Sequence, residues 1–91
     1  MTYIIKRDGR IERFDEEKLK SSIMAAAREA GLLDKRWVSA IIQMVAANAI
    51  AYARGQRSVK SQTLAEMILG ELDNQGGQIS DAWRAYSKAR P

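Results

Sequence analysis

An Asp-Gly pair between two short β-prone runs constrains this chain more than any other feature. Asp8-Gly9 separates residues 3–7 from residues 10–14, and each run combines Ile with an aromatic residue. A two-residue Asp-Gly loop is typical of a type I′ hairpin turn, because both central residues of that turn adopt positive φ. The sequence therefore predicts an antiparallel β-hairpin at the start of the chain.

The two-residue loop also predicts the register of this hairpin. Arg7 then lies opposite Arg10, and Ile5 lies opposite Glu12. Strand alternation places Lys6 and Arg7 on opposite faces of the hairpin unless a bulge intervenes. The face that contains Lys6 also contains Ile4, Ile11 and Arg13. Both faces mix apolar and charged side chains. That mixture fits either a cross-strand charge ladder in water or a cationic face that covers a bound anion.

Apolar periodicity predicts four helices after the hairpin. The first two are expected over residues 15–30 and 34–54. The third is expected from residue 61 or 63 to residue 72, and the fourth from residue 77 or 80 onward. Val59, between the second and third helices, can add a β-bridge to the hairpin. This order predicts an α+β fold with a single domain over residues 1–91, in which a hairpin or three-stranded sheet covers a four-helix bundle.

Polar side chains at the expected helix starts are candidates for capping. A short polar side chain there can accept a hydrogen bond from an unpaired backbone N–H. The expected caps are Asp15, Asp34, and Ser61 or Thr63. In the last helix, Trp83 and Tyr86 fall on the apolar stripe, so they are expected to fill the core rather than to form a stacking platform.

The composition excludes several classes of function. The chain has no Cys and no His. Disulfide frameworks, Cys nucleophiles, His-based acid–base catalysis and the usual zinc sites are therefore excluded. The sequence also shows no signal peptide and no transmembrane run, so a cytoplasmic location is expected. The net charge of +4 fits an anionic partner or an ordinary basic surface.

An anion site in this chain needs side-chain cations and helix N-termini, because no phosphate-binding glycine loop is present. The expected helix start at Ser61 lies beside Lys60 and suits a phosphate. The start at Asp15 is acidic and better suits a ribose or a base amine. Glu12 can also accept from an exocyclic amine. These residues together define a candidate nucleotide site.

The opening motif resembles a known family. Residues 4–9 read Ile-Ile-Lys-Arg-Asp-Gly, and Glu12, Asp15 and the pair Lys18-Leu19 follow. This pattern is similar to the start of the ATP-cone domain, which occurs in ribonucleotide reductases and in the bacterial repressor of reductase genes. Residues 59–64 and 82–86 resemble two later segments of that family in the correct order. The resemblance covers nearly the whole chain.

The resemblance implies a regulatory domain that binds ATP or dATP, with Mg²⁺, beneath the hairpin and does not hydrolyse it. Its partner would be a ribonucleotide reductase subunit or another regulated protein, with nucleotide-dependent oligomerisation. It assigns the phosphates to Lys6, Arg7 and Ser61, with Lys88 or Arg90 completing the phosphate pocket. It assigns the adenine or ribose to Glu12 and Asp15, with Lys18 nearby, and packing on the base to Ile4 and Leu19.

The chain departs from the family pattern at two positions. Ala65 stands where some members have His, and Asp15 stands where many have Asn. The chain is far shorter than a reductase and lacks the cysteines of the repressor's zinc ribbon. The resemblance therefore fits either a free-standing cone or the N-terminal domain of a longer protein.

Two other functions stay open from the residues alone. A small basic helical protein could bind DNA through Arg54, Arg57, Lys60 and the C-terminal cations, although no helix carries an exposed Arg, Asn and Gln run suited to reading bases. A protein-interaction module without a nucleotide site is the second alternative. An enzyme is not expected, because helical spacing assembles no pair of nucleophile and general base.

Overall fold

The computed structural model describes residues 1–89 and has the predicted α+β architecture. In chain order its elements are β1 (Tyr3–Ile5), β2 (Ile11–Arg13), α1 (Glu16–Glu29), α2 (Arg36–Arg54), β3 (Ser58–Lys60), α3 (Ser61–Gln75) and α4 (Gly77–Ala89). The sheet covers one end of the four helices. None of the described helices is long and apolar enough to cross a membrane.

The three strands form one mixed sheet in the order β2-β1-β3. The central strand β1 is antiparallel to β2 and parallel to β3. Val59 pairs with Ile4, so the predicted addition of a strand through Val59 is confirmed. Both side chains are buried, with exposed fractions of 6% and 8%, and they attach the sheet to the helical core.

The predicted type I′ turn is wrong, because the hairpin loop contains three residues rather than two. The Lys6 N–H donates to the Arg10 carbonyl at 2.8 Å, and the Gly9 N–H donates to the Lys6 carbonyl at 3.0 Å. Gly9 has a φ of 88°, whereas Asp8 is not among the residues with positive φ. A tight turn followed by a left-handed glycine is the usual three-residue hairpin. The Asp8 carboxylate supports it by accepting from the Arg10 N–H at 3.1 Å.

The extra loop residue shifts the predicted register by one position. Ile4 pairs with Glu12, and Ile5 pairs with Ile11. Because strand side chains alternate, this shift exchanges the faces of every residue on β2. Ile4, Lys6, Arg10 and Glu12 share the inner face toward the helices, whereas Tyr3, Ile5, Ile11 and Arg13 share the outer face. The predicted grouping of Ile11 and Arg13 with Lys6 is therefore wrong.

The helix starts follow the predictions only in part. Asp15 caps α1, and its carboxylate accepts from the Lys18 N–H at 3.1 Å, as expected. The N-cap of α2 is Lys35 and that of α3 is Lys60, and neither helix has a side-chain cap. The predictions that Asp34 caps α2 and that Ser61 or Thr63 caps α3 are therefore wrong. At α3 the reason is that strand β3 runs directly into the helix, so Ser61 is already helical.

Small and branched side chains form the core between the helices. Helix α1 packs against α2 and α4, and α3 packs against the same two helices. Fully buried members of this core include Ile23, Ala27, Val38, Ile42, Val45, Ile68, Leu72 and Ile79. Trp83 is buried and Tyr86 packs against the cluster half-buried, so the prediction that both fill the core is confirmed.

Two ion-pair networks connect elements that are distant in the chain. Arg54, at the end of α2, donates to both carboxylate oxygens of Glu16 at 2.6 and 2.7 Å. Arg84 donates to Asp73, which also accepts from the Ser80 hydroxyl and so joins α3 to α4. The Arg54 guanidinium holds the pKa of Glu16 below its usual value. Arg84, and after it Ser80, lower the pKa of Asp73.

These shifts predict a loss of stability in acid that depends on Glu16. A carboxyl with a lowered folded-state pKa stabilises the protein above its unfolded pKa, which for Glu is 4.5. The contribution then disappears as the pH falls through the folded pKa. Urea midpoints measured from neutral pH into acid should therefore vary less steeply for Glu16→Gln than for the wild type. Glu17→Gln, in the same exposed helical turn, should retain the wild-type slope; equal slopes for both variants would contradict the prediction.

Candidate functional site

A cleft of about 1000 Å³ lies between the inner face of the sheet and the helices. Its walls come from β1, β2 and the loop between them, from the first turns of α1 and α3, and from the last turns of α4. These segments are far apart in the chain. The three-stranded sheet brings them together because β3 places the start of α3 directly beside β1.

Nine of the ten predicted site residues line this single cleft. They are Ile4, Lys6, Arg7, Glu12, Asp15, Lys18, Leu19, Ser61 and Lys88. The tenth, Arg90, lies outside the described residues. The hairpin register explains how Lys6 and Arg7 both reach the cleft, since Lys6 projects from the inner face and Arg7 belongs to the loop at its rim. The nucleotide contacts assigned to these residues remain predictions.

Several cations around the cleft are not committed to carboxylates. Within residues 1–89, no ion pair involves Lys6, Arg7, Lys18 or Lys88. By contrast, the Arg10 guanidinium bonds to Asp8 at 2.7 Å and lies 3.7 Å from a Glu12 oxygen. The Arg10 backbone N–H, and after it the guanidinium, lower the pKa of Asp8. Uncommitted cations of this kind can make charge-assisted hydrogen bonds to an incoming anion.

The N-terminus of α3 adds backbone donors to these cations. Ser61 and Gln62 occupy its first turn and line the cleft. No side chain caps this helix, so its first N–H groups are available to a ligand. A helix N-terminus with free N–H groups and a positive dipole end is suited to phosphate. The missing cap, which contradicts the sequence prediction, therefore favours the predicted role of Ser61.

The α1 N-terminus has a different character. Asp15 already uses one carboxylate oxygen to accept from the Lys18 N–H, and Glu16 is paired with Arg54. Negative charge at this helix start disfavours a phosphate. The second oxygen of Asp15 and the carboxylate of Glu12 remain potential acceptors for hydroxyl or amine donors.

The cleft also has an apolar part that suits a flat ring. Its apolar lining consists of Ile4, Phe14, Leu19, Leu64, Ala65, Ile68 and Trp83. Ligand pockets typically combine such surfaces with a few polar groups that fix orientation. The arrangement can therefore bind a ligand with an apolar ring at one part and negative charge at another.

Sequence reasoning missed several residues of the cleft. Ser22 lines it, donates to the Leu19 carbonyl at 2.8 Å and accepts from the Trp83 indole N–H at 3.4 Å. Helical spacing could have found Ser22, because it lies one turn after Lys18 on the same face. Arg10 was missed because it is not part of the motif from which the site residues were chosen. Trp83 was assigned to the core alone, yet it also contributes to the cleft.

One residue of the DNA-binding alternative is already engaged. The Arg54 guanidinium is held by both oxygens of Glu16, so it is less available for a nucleic-acid phosphate. Arg57 and Lys60 remain exposed near the sheet. The structure therefore weakens this alternative without removing the basic surface on which it depends.

The fold and the cleft together define a class of small α+β domains in which a sheet and a helical bundle enclose a cleft lined by cations, carboxylates and apolar side chains. The family model described as ATP cone domain matches residues 2–90 of the 91-residue chain. The chain belongs to the ATP-cone family, which confirms the resemblance seen in its sequence. ATP-cone domains bind adenine nucleotides and act as regulatory, non-catalytic domains.

Proposed function

We propose that this chain is a sensor that binds ATP or dATP in the cleft beneath the sheet and transmits its occupancy to a regulated protein. The observation that carries the proposal is the convergence of uncommitted cations, carboxylates and apolar side chains on one cleft of about 1000 Å³. Family membership supplies the ligand class. The cleft is large enough for a nucleotide, since ligand pockets usually measure about 300–1000 Å³.

The phosphates are proposed to contact the cationic part of the cleft. Lys6 and Arg7 approach from the hairpin, and Lys88 approaches from α4. Ser61 and the free N–H groups of α3 supply further donors, with Lys18 nearby. Mg²⁺ would enter with the phosphates, because this ion keeps several waters and usually binds through substrate phosphates.

The nucleoside is proposed to contact the acidic and apolar part. Glu12 and Asp15 would accept from the adenine amine or the ribose hydroxyls, and Ile4 and Leu19 would pack against the base. Glu12 is half-buried on the inner face of the sheet, where a carboxylate can select a ligand by its donors. A guanine presents a carbonyl where adenine presents the amine, so Glu12 would disfavour it.

The regulated partner is proposed to be a ribonucleotide reductase subunit or a related protein in the cytoplasm. The chain itself is proposed to perform no hydrolysis, which agrees with the regulatory nature of the family. Nucleotide binding would then change how the domain associates with its partner or with further copies. A ligand can cause such a change only if it binds one conformational state of the domain more tightly than the other.

Isothermal titration with ATP, dATP and GTP, each with and without Mg²⁺, tests the binding proposal. We expect saturable binding of ATP or dATP with a Kd in the micromolar range, near −8 kcal/mol, and weaker binding of GTP. Arg7→Ala should weaken binding of the adenine nucleotide, whereas Arg36→Ala, on the exposed surface of α2, should not. A folded sample that gives neither heat nor thermal stabilisation with any adenine nucleotide would refute the sensor function.

A further inference from the structure

The outer face of the sheet is turned away from the proposed nucleotide cleft and has its own composition. Of its strand residues, only Arg13 also lines that cleft. Its apolar centre consists of Tyr3, Ile5 and Ile11. Ile11 has an exposed fraction of 68% and Tyr3 of 41%, which is unusual for large side chains on a three-stranded sheet. Together with Met1, Arg57 and Ser58 they line a shallow groove of about 520 Å³. The lining of this groove includes no residue of the four described helices.

The charges around this outer face all have the same sign. Arg57 borders the groove, and the register places Lys60 beside Ile5. The register also places Arg13 beside Tyr3, at the β2 edge, where it contributes to the cleft lining as well. No carboxylate occurs among the strand residues on this face, since Glu12 points inward. None of the three cations forms an ion pair within residues 1–89. The face is therefore complementary to a surface that is both apolar and acidic.

Strand β2 also has a free backbone edge next to this face. The Phe14 N–H donates to the Thr2 carbonyl, and the Lys6 N–H donates to the Arg10 carbonyl. In an antiparallel ladder with those bonds, the N–H and C=O groups of Ile11 and Arg13 point away from β1. Because β2 is the edge of the sheet, these groups can pair with another extended chain.

We propose that the outer face and the β2 edge dock an extended acidic and apolar segment of a partner protein. The segment would pair its backbone with Ile11 and Arg13 and place alternate apolar side chains over Tyr3 and Ile5. Its carboxylates would contact Arg13, Arg57 or Lys60. Addition of a strand to a sheet edge uses main-chain bonds for affinity and alternate side chains for specificity.

Other occupants fit these observations less well. In a dimer formed through this edge, Arg13 of one copy would lie near the cations of the other copy, and the like charges would repel each other. A nucleic acid would use the cations but not the free N–H and C=O groups of β2. An anionic membrane likewise has no backbone to pair with this edge. The free edge therefore favours a polypeptide, and the charge favours an acidic one.

The test uses a short fluorescent peptide that alternates Glu with Leu, measured by anisotropy in saturating ATP. Saturating ATP occupies the proposed nucleotide site, so the acidic peptide cannot report binding there. We expect saturable binding, with amide shifts at Ile11 and Arg13 by NMR. Ile11→Ser and Arg57→Glu should each raise the Kd of the peptide about tenfold. Met44→Ser and Arg36→Glu, exposed on α2, are the matched controls and should change nothing.

Several results would overturn the docking site. These are the absence of saturable binding, equal binding of the peptide with Lys in place of Glu, and shifts confined to residues of the nucleotide cleft. Binding only to single-stranded DNA or to anionic vesicles, or dimerisation that the outer-face variants abolish, would assign the face to another occupant. The four variants should all bind ATP like the wild type, so failure of the docking site is distinguishable from failure of the nucleotide site.

Discussion

Replacement of Lys6 by Glu is expected to weaken ATP binding by about a hundredfold or more. Lys6 is half-buried on the inner face of the sheet and forms no ion pair within residues 1–89. In the proposed complex with ATP, its loss removes a charge-assisted hydrogen bond to the phosphates, worth about 1.5–3 kcal/mol. The new carboxylate then repels the phosphates. A hundredfold change in Kd corresponds to about 2.7 kcal/mol, which this combination can supply.

The matched control is Lys20→Glu on the exposed surface of α1. It changes the net charge by the same amount, and Lys20 does not line the cleft. Titration calorimetry at moderate ionic strength should therefore show at most a small change for this variant, because salt screens an exposed charge that does not contact the ligand. Equal losses for both variants would mean that ATP responds to overall charge rather than to the predicted site. Unchanged binding in Lys6→Glu would remove Lys6 from the site.

The largest loss of stability is expected from Leu72→Ala. The Leu72 side chain is fully buried in α3, at the centre of the core between the helices, and does not line the nucleotide cleft. Removing three buried carbon atoms leaves a cavity that a core of small and branched residues cannot readily fill. Such substitutions cost about 2–5 kcal/mol. For a domain of this size, a loss of about 3 kcal/mol lowers Tm by more than about 10 °C.

Met44→Ala on the exposed face of α2 is the control for this prediction. Met44 has an exposed fraction of 42%, so its truncation removes little buried surface. Urea and thermal unfolding should show a loss several times larger for Leu72→Ala than for Met44→Ala. Well below its Tm, Leu72→Ala should still bind ATP with the wild-type Kd. Similar stabilities for the two variants would contradict the packing of α3 in this structure.

In the hairpin, the local sequence pattern predicted the position of the turn but not the pairing of the strands. The Asp-Gly pair correctly predicted where the chain reverses, but it is compatible with both a two-residue and a three-residue loop. The choice depends on which residues of the strands are buried against the helices, here Ile4 together with Val59. That burial is non-local. A register error of one residue then exchanged the two faces of β2 and paired Glu12 with Ile5 instead of Ile4.

In the candidate site, likewise, some residues could be predicted from a motif and others depend on tertiary contacts. The family pattern identified nine residues that the structure places around one cleft, because the motif itself carries their identity and spacing. Ser22 and Trp83 are not part of that motif. Only the helical spacing of Ser22 from Lys18 points to the cleft, and an aromatic residue on an apolar stripe has an ordinary structural explanation. Their contact at 3.4 Å across α1 and α4 brings them into the cleft.

By itself, the sequence determined the order of strands and helices, the Asp15 cap, the packing of Trp83 and Tyr86 on the core, and the family to which the chain belongs. These properties follow from interactions between residues that are close in the chain, or from motifs whose residue types are specific. Only the tertiary structure decided the hairpin register, the uncapped start of α3, the composition of the cleft and the exposed outer face of the sheet. Each of these depends on contacts between β1, β3 and the helices, and such contacts form only when distant segments pack together.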